Sequence, residues 1–265
     1  MIQSVSSRSN SRIKLAASLG RTSTSKKRRR FLMEGPRFIG DHLARGGSVD
    51  FIAIKENLTA RSLAVAKLAD SRDIPVIQVS DLIYKDISST DAPQGITAVC
   101  PVPEYSLSDL FTGKTVLVLD GVADPGNAGT AIRSAAAFGC SGVVFLKGSA
   151  YPWNPKVTRS AAGLNSAIPV VEIDNLTLLK NKHPEYSFLG ASSNGSPASE
   201  IFSITKKPVC VVVGSEAHGL SDITRGELTG LVSIPMSDVA ESLNAGVSGS
   251  ILLYLLRENQ EPARE

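Results

Sequence analysis

Three short segments of the sequence are rich in glycine, serine and asparagine, residue types that can hold a small ligand. They are residues 120–129, 214–220 and 234–246, and the first two come directly after apolar runs. Glycine lets the backbone approach a ligand closely, while serine and asparagine side chains both donate and accept hydrogen bonds. In parallel α/β sheets ligands bind beyond the carboxyl ends of the strands. We therefore expect the chemistry of this protein in these three segments.

Arg133, in the stretch after the first segment, is a candidate for binding an anion. It is the only charged residue between Asp124 and Lys147, in an otherwise small and apolar stretch that predicts a helix over residues 128–138. A guanidinium binds a phosphate or a carboxylate through two parallel hydrogen bonds. The partner of Arg133 is therefore either a ligand phosphate or a structural carboxylate.

The other polar residues of the segments allow two interpretations. Asn127, Ser242 and Asn244 suit the first turn of a helix, where their side chains accept hydrogen bonds from backbone N–H groups. Glu216 can stabilise a helix N-terminus in a similar way. The same four side chains could instead orient a substrate, and taken singly they do not decide between these roles.

Missing motifs exclude several kinds of site. The chain has neither the Gly-x-Gly-x-x-Gly fingerprint of dinucleotide-binding enzymes nor a Gly-x-x-x-x-Gly-Lys-Ser/Thr phosphate loop. His218 has no histidine or cysteine partner at metal-ligand spacing, so we expect no metal. Cys100, Cys140 and Cys210 are odd in number and widely separated, which fits no disulfide framework.

The composition favours a globular cytoplasmic protein. Apolar residues make up 42% of the 265 residues and charged residues 20%, as in ordinary globular chains. No apolar run approaches the ~18 residues that a membrane span needs. The N-terminus lacks the apolar region of a secretory signal. We expect a reducing cytoplasm and no membrane partner.

The charge is concentrated at the N-terminal end. Through Arg45 the chain carries eleven Lys and Arg against two acidic residues, a net charge of +9, whereas the remainder carries −6. This asymmetry predicts that one part of the molecule binds a polyanion while another does chemistry. A solvated basic segment with no partner is the alternative that charge alone leaves open.

Alternating apolar patterns predict an α/β fold with two domains. In the N-terminal half we expect strands over 31–33, 51–54, 76–79 and 96–99, and helices over 12–19, from Pro36 to before Gly46, over 60–68 and from residue 80. In the C-terminal half we expect strands over 115–119, 142–146, 188–191 and 209–213, and a last helix over 243–256. The predicted boundaries are a domain of residues 1–103, a linker of 104–114, and a domain of 115–265 with a mostly parallel sheet.

Taken together and in order, the three segments resemble the motifs of the SpoU family of RNA ribose 2′-O-methyltransferases, within the knotted SPOUT class. The first motif is similar to Asn127, Gly129, Arg133 and residues 138–139, the second to residues 214–221, and the third to residues 234–236 followed by 242–244. The resemblance covers about residues 115–257, and residues 155–163 are similar to the family's run between the first two motifs.

The resemblance implies methyl transfer from S-adenosylmethionine to a ribose 2′-hydroxyl. The residues that it implies for catalysis are Arg133, Asn127, Glu216, Ser242 and Asn244. The residues that it implies for holding the cofactor are Gly214, Ile234, Leu243, Met236 and Ser192. Because an arginine is essentially never deprotonated, we expect Arg133 to position the phosphate beside the target ribose rather than to accept a proton.

The resemblance also extends to the N-terminal half, which is similar to the RNA-binding domain often attached to this family. We expect RNA contacts from the basic residues there, namely Lys26, Lys27, Arg28, Arg29, Arg30 and Arg37. The family implies a homodimer and a deep trefoil knot in the C-terminal domain, which general topology rules would argue against. The expected substrate is ribosomal RNA of the large subunit; transfer RNA is the alternative within enzymes, and a non-catalytic RNA-binding protein is the alternative outside them.

Overall fold

Two compact units make up the chain. The computed structural model describes residues 2–90 and 92–260. One unit consists of Met1–Pro103 and Trp153–Ala167, and the other of Glu104–Pro152 and Ile168–Glu265. Each unit combines one sheet with helices, which confirms the predicted α/β class. Within the described ranges, no helix has both the length and the apolar character that a membrane crossing requires.

The first unit contains a mixed five-stranded sheet. Its strands are β1 (Gln3–Ser4), β2 (Arg30–Glu34), β3 (Phe51–Lys55), β4 (Val76–Val79) and β5 (Ile96–Pro101), in the order β1-β4-β3-β5-β2. The pairs β1/β4 and β3/β4 are parallel, whereas β5 runs antiparallel to both β3 and β2. Four of these strands lie where the alternating pattern predicts them, because each is an apolar run bounded by polar turns.

Within residues 2–90, the first unit has five helices. They are α1 (Ser11–Ser18), α2 (Thr22–Arg28), α3 (Pro36–Ala44), α4 (Ala60–Asp70) and α5 (Asp81–Ile87). Side-chain caps fix the starts of three of them, since Asn10, Thr59 and Ser80 accept hydrogen bonds from backbone N–H groups of α1, α4 and α5. Proline opens α3, as its sequence predicts.

Residues 153–167 fold with this first unit, although the sequence places them inside the C-terminal half. They form α8 (Pro155–Ser160) and a 3₁₀ turn (Leu164–Ser166). The ring of Trp153 lies 4.8 Å from that of Phe31, centroid to centroid. Gly163 has φ +74°, and a Cβ there would lie 3.3 Å from the Cβ of Phe38. These contacts correct the expectation of a continuous domain over 115–265.

The second unit contains a parallel six-stranded sheet. Its strands are β6 (Thr115–Asp120), β7 (Gly142–Leu146), β8 (Val170–Ile173), β9 (Ser187–Pro197), β10 (Val209–Gly214) and β11 (Gly230–Ser233), in the order β11-β9-β10-β6-β7-β8. All five neighbouring pairs are parallel, so the carboxyl ends lie along one edge. The sequence predicted four of these strands and missed β8 and β11, which are short and only partly apolar.

Within the described ranges, six helices accompany this sheet, and one of them lies in the expected linker. They are α6 (Leu107–Leu110), α7 (Pro125–Ala137), α9 (Thr177–Lys182), α10 (Ala198–Ile204), α11 (Asp222–Glu227) and α12 (Ala245–Gln260). Residues 104–114 belong to the second unit, where Ser106 and Asp109 form a capping box and Leu110 is buried in the core. Because the segment is mostly polar, its sequence did not predict that Leu110 is buried in the core.

The three cysteines are buried free thiols. Cys100 and Cys210 are fully inaccessible and Cys140 is 7% exposed. Burial raises the pKa of all three thiols, that of Cys140 to about 12. Because the thiolate is the reactive form, we expect the native thiols to be inert near neutral pH.

This expectation is testable with a colorimetric disulfide reagent. The native protein at pH 7.5 should react far more slowly than free cysteine, and three thiols should titrate once the chain is unfolded. The rate measures exposure directly, so one fast equivalent in the native protein would contradict the burial of that cysteine.

Candidate active site

A cavity of about 270 Å³ lies at the carboxyl edge of the parallel sheet. All five residues expected to hold a cofactor line it, namely Ser192, Gly214, Ile234, Met236 and Leu243. Glu216 and Ser242 from the expected catalytic set line it as well. The fold thus brings the second and third segments together around one cavity, although they are some twenty positions apart in the chain.

A bulge in β9 supplies one wall of the cavity. Gly190 pairs with Leu231, but the next pair joins Ser196 to Val232, so residues 191–195 leave the ladder. Ala191, Ser192 and Ser193 of this excursion face the cavity. A Cβ on Gly195 would lie 2.6 Å from the backbone nitrogen of Val232, so a glycine is needed where the strand returns. The sequence predicted a strand only over 188–191 and gave no sign of this bulge.

The second segment forms a tight loop directly after β10. Ser215 and Gly219 exchange backbone hydrogen bonds of 3.0 and 2.9 Å, which places Glu216 and His218 at an exposed tip. Gly219 has φ +67°, and a Cβ on Gly214 would lie 2.2 Å from the carbonyl carbon of Gly219. Only a hydrogen side chain fits at Gly214, because the loop folds back onto the strand end.

Asp120, at the end of β6, ties this loop to the neighbouring strand. Asp120 is 6% exposed, and its carboxylate accepts hydrogen bonds from the backbone N–H of Ser221 at 2.7 Å and from the Ser221 hydroxyl at 3.3 Å. Ser221 in turn caps α11. Sequence reasoning assigned no role to Asp120; the signal was a carboxylate that ends a continuous apolar strand.

A chain of hydrogen bonds connects all three segments. The amide nitrogen of Asn244 donates to the Oδ1 of Asn127 at 2.6 Å, and the amide nitrogen of Asn127 donates to the Oε1 of Glu216. Asn127 is not the cap of α7, as its sequence allowed; Asp124 has that role and accepts from the backbone N–H of Asn127. The Asn127 side chain is therefore available for this network.

Asn244 has a second, structural role at the start of α12. Its Oδ1 accepts a hydrogen bond of 3.2 Å from the backbone N–H of Val247, as a helix cap does. The last helix begins at Ala245, two residues later than predicted, so Leu243 and Asn244 lie in the preceding loop. Both roles that the sequence left open for Asn244 are thus fulfilled by one side chain.

Arg133 lies apart from the cavity. It projects from α7 with an exposed side chain and does not line the cavity. Within residues 2–90 and 92–260 it has no ion pair or side-chain hydrogen bond. The structural carboxylate that the sequence allowed as its partner is not found there, which leaves its guanidinium open to a ligand.

Arg225 of α11 was missed by sequence reasoning and does line the cavity. Its Nε donates to the backbone carbonyl of Leu220 at 3.1 Å, which holds the guanidinium beside Gly219. With Glu216 and Glu241, it gives the cavity wall one cationic and two anionic side chains. Across the described parts of the chain, no group of three or more His, Cys, Asp and Glu could hold a metal ion.

The residues expected to bind RNA lie on the first unit. Lys26, Lys27 and Arg28 form the last turn of α2 and are exposed, as is Arg29, which adopts a left-handed conformation with φ 50°. Arg30 pairs with Asp50. Arg37, at the start of α3, is exposed and lies 3.9 Å from Asp41.

Comparison with known proteins decides the family. Residues 114–254, more than half of the chain, match the SpoU rRNA Methylase family, and residues 10–98 match the MRM3-like substrate binding domain. The chain belongs to the SpoU rRNA methylase family. Two curated relatives and one solved structure are similar to this SpoU-family chain over most of its length.

The chain is 34% identical over 230 residues to the 23S rRNA (guanosine(2553)-2′-O)-methyltransferase RlmP of Bacillus subtilis, which covers 86% of this chain and 88% of the relative. It is 29% identical to the mitochondrial rRNA methyltransferase 3 of Mus musculus, over 86% of this chain and 67% of the relative. The AdoMet-bound rRNA methyltransferase from Sinorhizobium meliloti has a TM-score of 0.85 to this SpoU-family chain at 26% identity, covering 98% of this chain and 99% of that one.

The close approach at Gly214 gives a stability prediction. Gly214→Ala should destabilise the second unit by about 1–3 kcal/mol, because the methyl group has no room against the backbone of Gly219. Thermal unfolding monitored by circular dichroism measures the effect. Gly226→Ala in α11 is the matched control, since a Cβ there meets nothing within 4 Å. Equal melting temperatures for the two variants would contradict the backbone geometry described for the loop.

Proposed function

We propose that this chain transfers the methyl group of S-adenosylmethionine to a ribose 2′-hydroxyl in ribosomal RNA of the large subunit. The observation that carries the proposal is the cavity lined by the second and third segments, together with the hydrogen-bond chain through Asn244, Asn127 and Glu216, which joins the first segment to both. The name of the Bacillus relative supports 23S rRNA as substrate, and the AdoMet-bound relative supports the methyl donor. Transfer RNA has no comparable support. The three free thiols favour a reducing compartment such as the cytoplasm.

The residues around the cavity fit this cofactor chemically. Gly214 and the β9 bulge expose backbone groups that can hold an adenine and a ribose without side-chain obstruction. The methionine part of the cofactor carries a carboxylate and an amino group, which Arg225 and the carboxylates of Glu216 and Glu241 can bind. When bound, the cofactor supplies an electrophilic methyl group on a sulfonium.

The protein's own contribution is positioning. A ribose hydroxyl attacks in line only if it is held against the methyl donor and shielded from water. An arginine side chain is a hydrogen-bond donor and not an acceptor, so we assign to Arg133 the phosphate next to the target ribose rather than the proton of the hydroxyl. Asn127 has both ends of its amide engaged, which fixes Glu216 at the cavity edge. Ser242 and Asn244 complete the substrate side of the site.

The order of strands supports a trefoil knot in the second unit, as the family implies. The chain lays β6, β7 and β8 outward in one direction and then crosses to place β9 on the other side. It next inserts β10 between β9 and β6, and α12 follows β11 and packs on α7. Insertion of a late strand between two earlier ones is the arrangement that passing the chain through a loop would produce.

Exposed apolar residues on α12 support a homodimer. Val247 and Tyr254 are 42% and 46% exposed, and Ile251 between them is half-buried. The opposite face of α12 is buried through Leu252, Leu253 and Leu256. The core therefore uses other residues of α12 than Val247, Ile251 and Tyr254, so we assign this apolar stripe to the dimer interface.

Charge placed on this stripe should separate the subunits. Light scattering coupled to gel filtration should give twice the 27.9 kDa chain mass for the wild type and the single mass for Val247→Glu with Tyr254→Glu. Ile204→Glu with Ile223→Glu is the matched control, since both side chains are more than 60% exposed on other helices. A wild-type protein of single mass would refute the dimer, and equal dissociation by both pairs would refute this interface.

Methyl transfer and the role of Arg133 can be tested together. The wild type should move a labelled methyl group from S-adenosylmethionine to unmodified large-subunit rRNA and leave a 2′-O-methylated nucleotide. Arg133→Ala should lower the single-turnover rate by about a hundredfold or more, because the target ribose is no longer held in line. Arg133→Lys should recover little, since an ammonium lacks the planar fork.

The controls separate catalysis from stability. Arg133 is exposed and has no partner among the described residues, so both variants should keep the wild-type melting temperature and cofactor affinity. Lys182→Ala removes another exposed cation of the second unit and should keep the full rate. A near-normal single-turnover rate for Arg133→Ala would contradict the assignment of Arg133 to phosphate positioning. If the wild type binds S-adenosylmethionine but methylates neither ribosomal nor transfer RNA, the non-catalytic alternative holds.

A further inference from the structure

A second cavity, of about 550 Å³, lies within the first unit and has a different character from the first. Three arginines line it: Arg37 of α3, Arg61 of α4 and Arg159 of α8. Glu34 is the only acidic side chain among its lining residues in the described part of the chain. The balance of charge therefore favours an anionic ligand.

Glu34, the single acidic side chain among the described lining residues, already accepts several hydrogen bonds. Ser88 and Thr90 donate their hydroxyls to Oε1 of Glu34, and Ser89 donates both its backbone N–H and its hydroxyl to Oε2. The carboxylate serves to hold residues 88–90 in place and makes no ion pair with the three arginines. Among the described lining residues, no carboxylate is thus paired with the guanidinium groups of the cavity.

The arginines differ in how firmly they are held. Arg159 donates to the carbonyl and the hydroxyl of Ser89 at 3.1 and 3.0 Å, which fixes one nitrogen and leaves the rest of the fork available. Arg61 is exposed and has no partner among the described residues. Arg37 lies 3.9 Å from Asp41, a solvent-exposed pair of small strength.

An aromatic wall accompanies the cationic one. Phe38 lines the cavity with a half-buried ring, and Gly163 packs against its Cβ from the side of residues 153–167. A ring beside several guanidinium groups is the pairing that single-stranded nucleic acid requires, since bases stack on the ring while phosphates bind the arginines. The cavity volume suits one nucleotide and is too small for a duplex.

We propose that this cavity binds one unstacked nucleotide of the substrate RNA, with the base against Phe38 and the adjoining phosphates on Arg61, Arg159 and Arg37. The proposal rests on the proposed function for its choice of RNA as ligand. It gives the first unit a means of recognising a bulged or looped nucleotide, beyond the general attraction of the basic residues 26–30. It also gives residues 153–167 a reason to fold with that unit, because they contribute Arg159.

The test compares two labelled RNA hairpins that differ only in one bulged nucleotide. The wild type should bind the bulged hairpin about tenfold more tightly in fluorescence anisotropy. Arg61→Ala with Arg159→Ala, and separately Phe38→Leu, should abolish this preference, and the arginine pair should also flatten the salt dependence by about one to two phosphate contacts. Lys67→Ala with Lys85→Ala is the charge-matched control, since both are exposed on the first unit outside the cavity.

Each outcome decides the matter. The proposal would be overturned if the wild type did not prefer the bulged hairpin. It would also be overturned if the double arginine variant kept that preference, or if the double lysine control lost it equally. If the arginine variant loses the preference for the bulged hairpin and Phe38→Leu keeps it, the cavity binds an anion without base stacking. That result would overturn the nucleotide assignment. Arg61→Glu, at a side chain without a partner, repeats the test if the double variant is unstable.

The proposal and the proposed function fail separately. S-Adenosylmethionine binding and methyl transfer to rRNA test the cavity of the second unit, whereas the hairpins test the first unit without the cofactor. A protein that methylates rRNA but ignores the bulge refutes only the nucleotide cavity, and the reverse result refutes only the enzyme.

Discussion

The amide of Asn127 is the interaction on which the candidate active site depends. It accepts from Asn244 and donates to Glu216, so one planar group fixes the relative positions of three segments that are remote in sequence. A hydroxyl would provide one rotatable donor, and a carboxylate no donor at all. An amide offers a donor and an acceptor in one rigid plane, which is what these two partners require. The three segments are therefore linked through a single side chain.

The packing of α12 on α7 makes that network possible. A Cβ on Gly246 would lie 3.0 Å from the backbone oxygen of Asn127, so the helices approach closely at the end where the network lies. Farther along, the hydroxyls of Ser134 and Ser250 hydrogen-bond at 2.6 Å, which keeps the spacing small. Small residues on both faces determine this approach, and larger ones would move Asn244 out of reach of Asn127.

The sequence predicted most strands and helices because their patterns are local. The α/β class, the strands β6, β7 and β10 and the helix opened by Pro36 follow from apolar runs and caps, which need no knowledge of the rest of the chain. The three segments were found for the same reason, as glycine-rich turns after strands. The features that the sequence did not predict are non-local. They are the buried Leu110 in an apparent linker, the bulge of β9, and the folding of Trp153–Ala167 with the first unit. Each depends on partners far away in the chain.

The exposure of Arg133 carries a further consequence for the chemistry. In water, a guanidinium gains little binding free energy when a phosphate replaces its water molecules. Water screens the charges and competes for the hydrogen bonds. A guanidinium binds a phosphate strongly only where water is excluded. The side chain of Arg133 is exposed and therefore still in contact with water. Under the proposed role of Arg133, whatever covers this side chain, whether the RNA itself or a second copy of the chain, also completes the site. Positioning of the ribose would then be coupled to docking of the substrate, and the candidate active site of the unbound chain would lack its phosphate-binding part.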